Sequence, residues 1–455
     1  MTRKRSHRRQ QHLFMLVLVL VSTASAEWKE KVLYNFHGAP DGATPVGGVV
    51  SDEQGNLYGA AEGGANACPT TGDCGVVYQL SLPKQKGGAW TESILYTFKG
   101  DNYGDGANPQ GGVILDAEGN LYGTTAYGGG SSCTFLGTVV GCGIVYELSP
   151  PSRRGDSWTE TVLYSFQGKK DGQLPVGDLV FDAAGNLYGA TYFGGGHGRC
   201  DAPFHKHCGT IFELSPPTTR GGKWTEQVLY GFKGLGAGDG SLPNGGLILD
   251  SKGAIYGTTY LGGVQGPCSD ETGCGIVFKL TPPGSKGGAW TKMTLHLFNG
   301  KNGFCPASGV VFDGAGNLYG TTSFGPGPYG LVFELKKPSG KVHAWEETVL
   351  YAFSGGNDGK DPIASVIFDA NGNLYGTNHL GGTFSGIVFQ LKAPIRQGSV
   401  WTFGILHGFT GSPDGAQPAA NLIFDKAGNI YSTTQLGGTG QSCQGGCGTV
   451  FAVSP

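Results

Sequence analysis

Apolar residues along the chain fall in short runs separated by clusters of Gly, Asp, Asn and Pro, and one long phrase of such runs recurs seven times. In the third copy it reads W-T-E-T-V-L-Y-S-F (158–166), D-G-Q-L-P (171–175) and L-V-F-D-A-A-G-N-L-Y-G-A-T (179–191). A Gly-rich stretch and C-G-T-I-F-E-L (208–214) complete it. Short apolar runs bounded by turn residues read as β-strands. The pattern predicts strand a at 177–182, b at 186–191, c at 209–214 and d at 158–166. Strand a is nearly unbroken in apolar character (Leu247-Ile248-Leu249 in the fourth copy), which predicts burial on both faces.

The repeat sets the architecture. Trp28, Trp90, Trp158, Trp224, Trp290, Trp345 and Trp401 each open a copy, at spacings of 55 to 68 residues. Four strands per copy and seven copies predict an all-β fold, a seven-bladed β-propeller of four-stranded blades. A β-helix has far shorter turns, and a Gly-rich unit of ~60 residues hardly buries a core alone. The first d-type run, Trp28–Phe36, precedes any blade of its own. The last blade (421–425, 429–434, 449–453) lacks an outer strand, so the N-terminal strand is expected to close the ring.

Composition narrows the alternatives. With 85 Gly, 14 % charged and 11 % aromatic residues, the 455-residue chain is too poor in charge and too aromatic for disorder, and too rich in Gly for helices. Residues 1–26 read as a signal peptide: basic Arg3, Lys4, Arg5, Arg8 and Arg9, apolar Leu13–Val21, then Ala24-Ser25-Ala26. The apolar run is shorter than the ~20 residues a spanning helix needs. The expectation is a secreted, extracellular or periplasmic monomer without a membrane anchor, its propeller at 27–455. Removing the leader lowers Lys plus Arg from 31 to 26 against 34 acids, taking the net charge from −3 to −8. Such a chain lacks the basic footprint of a nucleic-acid binder.

Several recurring residues are candidates for chemistry. Asp-x-x-Gly, led by Asp52, Asp116, Asp182, Asp250, Asp313, Asp369 and Asp425, reads as a turn between strands a and b. The Trp set reads as packing between blades rather than as sugar-stacking platforms. Asp-Gly-x-x-Pro begins at Asp41, Asp105, Asp171, Asp239, Asp358 and Asp414, with Asn302-Gly-Phe-Cys-Pro in the fifth copy. Lying on the crossover from d to the next a, it is either turn chemistry or a carboxylate-rich mouth able to attract Ca²⁺.

Cysteines pair within five b–c loops: Cys68/Cys74, Cys133/Cys142, Cys200/Cys208, Cys268/Cys274 and Cys443/Cys447, leaving Cys305 free. In an exported protein these predict local disulfides. One loop adds His197, His205 and His207 to its Cys pair, a possible zinc or copper set if it is not a disulfide beside solvated histidines. Just after strand b the copies diverge, with Ala126, Tyr192, Tyr260, Ser323, His379 and Gln435. The fifth and sixth copies have short b–c loops without Cys, which predicts a notch near Phe324 and His379. No catalytic triad, paired-acid signature or helix-borne metal motif is present, so no catalytic residue is named.

The phrase V-L-Y-S-F-Q-G-K-K-D-G-Q-L-P-V-G-D-L-V-F-D-A-A-G-N-L-Y-G-A-T-Y-F-G-G (162–195) resembles the GloVer tandem repeat of exported bacterial proteins. Gly-Asn-Leu-Tyr-Gly is intact at Gly55, Gly119, Gly185, Gly316 and Gly372 and altered at Gly253 and Gly428. The resemblance implies an extracellular setting and brings no activity or catalytic residues. Two functions follow from the sequence. One is a binding scaffold for an extracellular glycan or protein. The other is an extracellular enzyme (lyase, lactonase or glycosidase) at the channel mouth.

Overall fold

A computed structural model describes residues 27–455 except 65–73, 86, 101–103, 136–137, 154, 196–207, 220, 236–237, 265–267, 269–271, 286, 341–343, 382 and 397–398. Seven four-stranded antiparallel sheets form the ring of a seven-bladed β-propeller. Blade 3 runs from strand a (Gln173–Phe181) through b (Leu187–Phe193) and c (Thr210–Ser215) to d (Thr225–Gly231). The same order spans Val50–Ser51 to Thr91–Thr97 in blade 1 and Ile114–Leu115 to Thr159–Ser165 in blade 2. It spans Ile248–Leu249 to Thr291–Leu297 in blade 4 and Val311–Phe312 to Glu346–Ala352 in blade 5. Blade 6 runs from Ile367–Phe368 to Thr402–Gly408.

Blade 7 is assembled from both parts of the chain. Its strands a, b and c are Ile423–Phe424, Ile430–Thr434 and Thr449–Ser454, and its outer strand is Lys29–Asn35. Lys29 pairs with Ser454 and Asn35 with Thr449, so the expected closure is present. Phe36, just beyond, is fully buried and meets Tyr78 of blade 1 edge-on at 5.0 Å.

Strand a departs from expectation. In six blades it is only two residues long and half-buried, and the side chain that enters the core is the one before it, such as Val49, Val113 or Val366. Near the axis the backbones of neighbouring blades converge, leaving little room for a long ladder. Strands b and c carry the core instead: b is buried throughout in five blades, and c is almost so.

One polar unit recurs at all seven turns. In blade 1 the Asp52 carboxylate accepts from the Asn56 amide (2.8 Å), the Asn56 side chain (2.7 Å) and the Tyr58 hydroxyl (3.0 Å), while Gly55 takes φ +87°. The tyrosine bond repeats at Tyr122, Tyr188, Tyr256, Tyr319, Tyr375 and Tyr431. Each of these tyrosines packs against the Trp of the next blade. Trp28–Tyr375, Trp90–Tyr431, Trp158–Tyr58, Trp224–Tyr122 and Trp401–Tyr319 have centroids 5.9–6.4 Å apart. Trp290 and Trp345 join the core clusters of Tyr188 and Tyr256. The tryptophans are packing residues.

The outer strands add a second interblade contact. Two residues after Trp stand Glu30, Glu92, Glu160, Glu226 and Glu347, each with one buried carboxyl oxygen that has no hydrogen-bond partner. Burial, then the neighbouring Asp414, Asp41, Asp105 or Asp171, pushes the first four up to about 7. Burial alone lifts Glu347 to about 7, against an opposing bond from Asn302. Lys292 takes this position in blade 4 and pairs with Asp239 at 2.7 Å; Phe403 takes it in blade 6 and stacks on Tyr351 at 4.5 Å.

Two predictions follow from the ring. Deleting residues 27–37 removes the outer strand of blade 7 and Phe36, whose burial alone corresponds to about 3–5 kcal/mol. The truncated chain is expected to melt well below the intact one by scanning calorimetry, and an unchanged melting temperature rejects the closure as a stabilising element. The second concerns pH. Each raised glutamate stays protonated in the folded ring after the unfolded chain has ionised, so its contribution is complete below about pH 4.5 and is lost as pH rises through about 7. His296, lowered by burial to about 4, acts oppositely between about 4 and 6.5, and His379 and His407 share its direction. A variant with Gln at all five glutamates isolates the effect: its melting temperature should gain on the native protein steadily from pH 5 to 8. A constant difference would sink the assignment.

Candidate functional site

The residue before proline in every Asp-Gly-x-x-Pro copy is left-handed. Thr44, Asn108, Leu174, Leu242, Cys305, Asp361 and Gln417 have φ between 52° and 61°, and they are the non-glycine residues with positive φ among those described. Such a conformation costs roughly 1–2 kcal/mol for a residue with a Cβ. Two backbone hydrogen bonds offset it. Each N–H donates to the preceding blade just before its strand c, at the carbonyls of Cys447, Cys74, Cys142, Cys208, Cys274, Tyr329 and Ser385 (2.6–3.1 Å). In six blades the carbonyl accepts from the residue that follows strand b, as from His379 to Asp361 at 3.1 Å. Two seven-membered circles of residues therefore run side by side around the axis, on one backbone frame.

The frame repeats and its side chains do not. A cavity of about 590 Å³ occupies the axis and is lined from all seven blades. Tyr192, Tyr260 and Phe324 form an aromatic wall on blades 3 to 5, while Glu62, Asp361 and Gln435 stand on blades 1, 6 and 7. Phe324 is stacked on Phe304 at 4.8 Å, with the rings 20° from parallel. Tyr192 and Tyr260 rest on a satellite apolar cluster of Ala126, Leu174, Phe193 and Leu242. No Lys or Arg is among the described lining residues.

The titratable groups here are shifted mainly by burial. Cys305 is pushed up to about 11 by burial, against a hydrogen bond from Tyr260 and reinforced by Asp361. Tyr192 is pushed up to about 12 by burial and by Cys305. Tyr260 is raised by burial and then by Cys305. Burial also raises Glu62, opposed by a bond from Gln110. His379 is lowered by burial, opposed by Asp361, and its buried Nδ1 has no hydrogen-bond partner.

The sequence candidates divide cleanly. Tyr192, Tyr260, Phe324, Ser323 and Gln435 line the cavity, and His379 sits one hydrogen bond behind Asp361. The Asp-Gly-x-x-Pro acids do not line it. Asp105, Asp171, Asp239 and Asp358 accept from Tyr96, Tyr164, Tyr230 and Tyr351 of strand d and from their own turns. Asp41 bonds His37, and Asp414 bonds His407 and Thr410. The acid of the motif holds the turn, and of the residues two places after its glycine Thr44 and Asp361 line the cavity. Among the described residues no three His, Cys, Asp or Glu come together to hold a metal. His197, His205 and His207 lie outside the described residues. Glu62 was missed, although it occupies in the first copy the position of Tyr192 and His379; counting one residue past strand b finds it.

Disulfides join Cys133 to Cys142, Cys268 to Cys274 and Cys443 to Cys447. Cys74 and Cys208 are also disulfide-bonded, while Cys68 and Cys200 lie outside the described residues. Cys305 is free and buried. The b–c connections of blades 5 and 6 span only 323–330 and 379–386. There an aromatic ring replaces the disulfide: a Cβ at Gly168 would strike the Cys133–Cys142 sulfurs, and at the matching Gly355 it would strike the Tyr329 ring.

Fold and cavity define a seven-bladed propeller with one polar, aromatic-walled pocket on its axis. The sequence matches the Gloeobacter/Verrucomicrobia repeat over residues 19–267 and 131–355, and the chain belongs to that repeat family. No curated protein matches it in sequence. Solved structures are similar to it at low identity. A polysaccharide lyase, an ulvan lyase bound to -[GlcA(1-4)Rha3S]-, is 9 % identical, with TM-score 0.48 over 93 % of this chain and 95 % of that one. The Trichoderma reesei carbohydrate-active enzyme of family AA12 is 13 % identical, with TM-score 0.43 over 94 % and 96 %. A PQQ-bound aldose sugar dehydrogenase from Streptomyces coelicolor is 11 % identical, with TM-score 0.42 over 94 % and 98 %.

Proposed function

We propose that this is an exported binding protein that holds a neutral saccharide in the axial pocket. The observation that carries the reading is the lining: an aromatic wall of Tyr192, Tyr260 and Phe324 faces carboxyl and amide groups, with no Lys or Arg among the described residues. Aromatic rings cover the C–H faces of a sugar, and carboxylates and amides bond its hydroxyls. Unpaired carboxylates around a concave site disfavour an anionic ligand, because like charges brought together with no cation between them are costly. The volume falls within the roughly 300–1,000 Å³ of small-molecule sites. Since the mouth side chains differ from blade to blade, the reading is one central site rather than seven equivalent ones. Entry is over blades 5 and 6, where the shortest connections flank Phe324 and His379. Disulfides in the loops accord with an oxidising compartment, reached through the leader at residues 1–26.

An extracellular enzyme is the second reading, favoured by the gathering of Tyr260, Asp361 and His379 on blades 4 to 6, with the His379 Nδ1 buried and unbonded. A glycan array carrying neutral and uronate-bearing sugars tests the first reading. Binding is expected for neutral glycans alone. Phe324→Ala and His379→Ala should each weaken it about tenfold, ~1.4 kcal/mol, with nearly native melting temperatures. Selective retention of uronates would retire the reading. Product formation from a bound glycan, abolished in His379→Ala, would favour the enzyme.

A further inference from the structure

The inner segment of each blade contributes one residue at the same depth on the axis, just before the buried apolar residue that leads into strand a. Four copies place glycine there: Gly48, Gly112, Gly246 and Gly309. The other three place Asp178, Ser365 and Asn421. The Asp178 and Asn421 side chains are joined to each other, and all three residues are tied to the backbone around them. The Gly112 amide donates to Asp178 Oδ1 at 2.7 Å, and Asn421 Nδ2 donates to Asp178 Oδ2 at 2.8 Å. The Ser365 amide donates to Asn421 Oδ1 at 2.9 Å, and Ser365 Oγ donates to the Gly309 carbonyl at 3.3 Å.

Asp178 belongs to blade 3 and Asn421 to blade 7. Going round the ring, three blades separate them one way and two the other, so a direct bond between their side chains is a chord across the channel. The glycines at this level make room for it. A Cβ at Gly112 would stand 2.9 Å from Asp178 Oδ1, and one at Gly48 would stand 3.0 Å from the Asn421 carbonyl. Depth follows from the ladder in blade 3. Asp178 lies between Val176, opposite Ala190, and Val180, opposite Tyr188, whereas Tyr192 stands at the mouth. At ~3.3 Å per residue the chord lies about 10 Å below the aromatic wall.

The geometry points to a blind pocket: the Asp178–Asn421 bridge floors the channel, so the site receives the terminus of a neutral saccharide chain and does not thread the chain through. This rests on the neutral-saccharide reading and adds the part of the glycan that is recognised. One Asp178 oxygen accepts from Gly112 and the other from Asn421, so this carboxylate acts as a positioning residue that sets the pocket's depth.

The test uses neutral linear gluco-, manno- and galacto-oligosaccharides of increasing length, their cyclic forms and the long polymers, titrated calorimetrically against the native protein. The expected result is one protein bound per linear chain, an affinity that stops rising after the first few units, and no binding to cyclic forms. Loading of the polymers in proportion to their length would overturn the blind pocket and leave the neutral-saccharide reading standing. Failure of every neutral probe would overturn both. Asp178→Ala and Asn421→Ala each open the floor from opposite sides. In either, affinity should go on rising with chain length beyond the native plateau, while the melting temperature reports whether the ring is intact. A native plateau in both folded variants would overturn the floor.

Discussion

Everything in this ring depends on a tyrosine held by a turn aspartate. The carboxylate of Asp-x-x-Gly caps its own turn and accepts the hydroxyl of the tyrosine two residues past the Asn (or Ala254 in the fourth copy) that it also binds. That holds the ring against which the next blade's tryptophan packs at a steep angle. A tyrosine buried at an interface needs a partner for its hydroxyl. Here the partner is local in sequence, so each copy prepares half of its interface before any neighbour arrives. A chain so rich in glycine loses much entropy on folding, and a preformed contact repeated seven times limits what assembly must still order.

The same economy appears at the mouth. The left-handed residue before each proline is held by bonds to two blades, both made by the backbone. The frame therefore does not depend on which side chain stands there, although Leu174 and Leu242 use theirs to build an apolar cluster. Seven copies place Thr, Asn, Leu, Leu, Cys, Asp and Gln at one position on an unchanged frame. Where the Cys pair is missing, Tyr329 and Phe384 join the apolar cluster of blades 5 and 6, so the loops shorten without leaving a void. Rigidity and variability are thus assigned to different atoms, which suits a pocket on a propeller axis.

Acid groups serve three distinct ends in this molecule. The a–b aspartates hold tyrosines, the crossover aspartates close turns beneath strand d, and the d-strand glutamates lie half-buried against the neighbouring blade with raised affinity for a proton. Among the described acids Glu62, Asp178 and Asp361 line the axial cavity, and Asp178 is occupied by its bonds to Gly112 and Asn421. Most of the acidity visible in the sequence is therefore structural.

The repeat by itself determined the seven blades, their strand order and the closing role of residues 29–35, because strand periodicity and turn chemistry are local and the copy number is countable. It also marked Tyr192, Tyr260, Phe324 and His379, since a position that varies within a constant phrase stands out. It left the Asp-Gly-x-x-Pro acids open between a turn and the mouth, because sequence locates a turn but not the direction in which its carboxylate points. Asp361 joins the cavity only through the ring, which sets the residue before proline beside the residue that follows strand b. The chord from Asp178 to Asn421 was beyond sequence altogether. It joins residues 243 positions apart, and only closure of the ring brings them within a hydrogen bond.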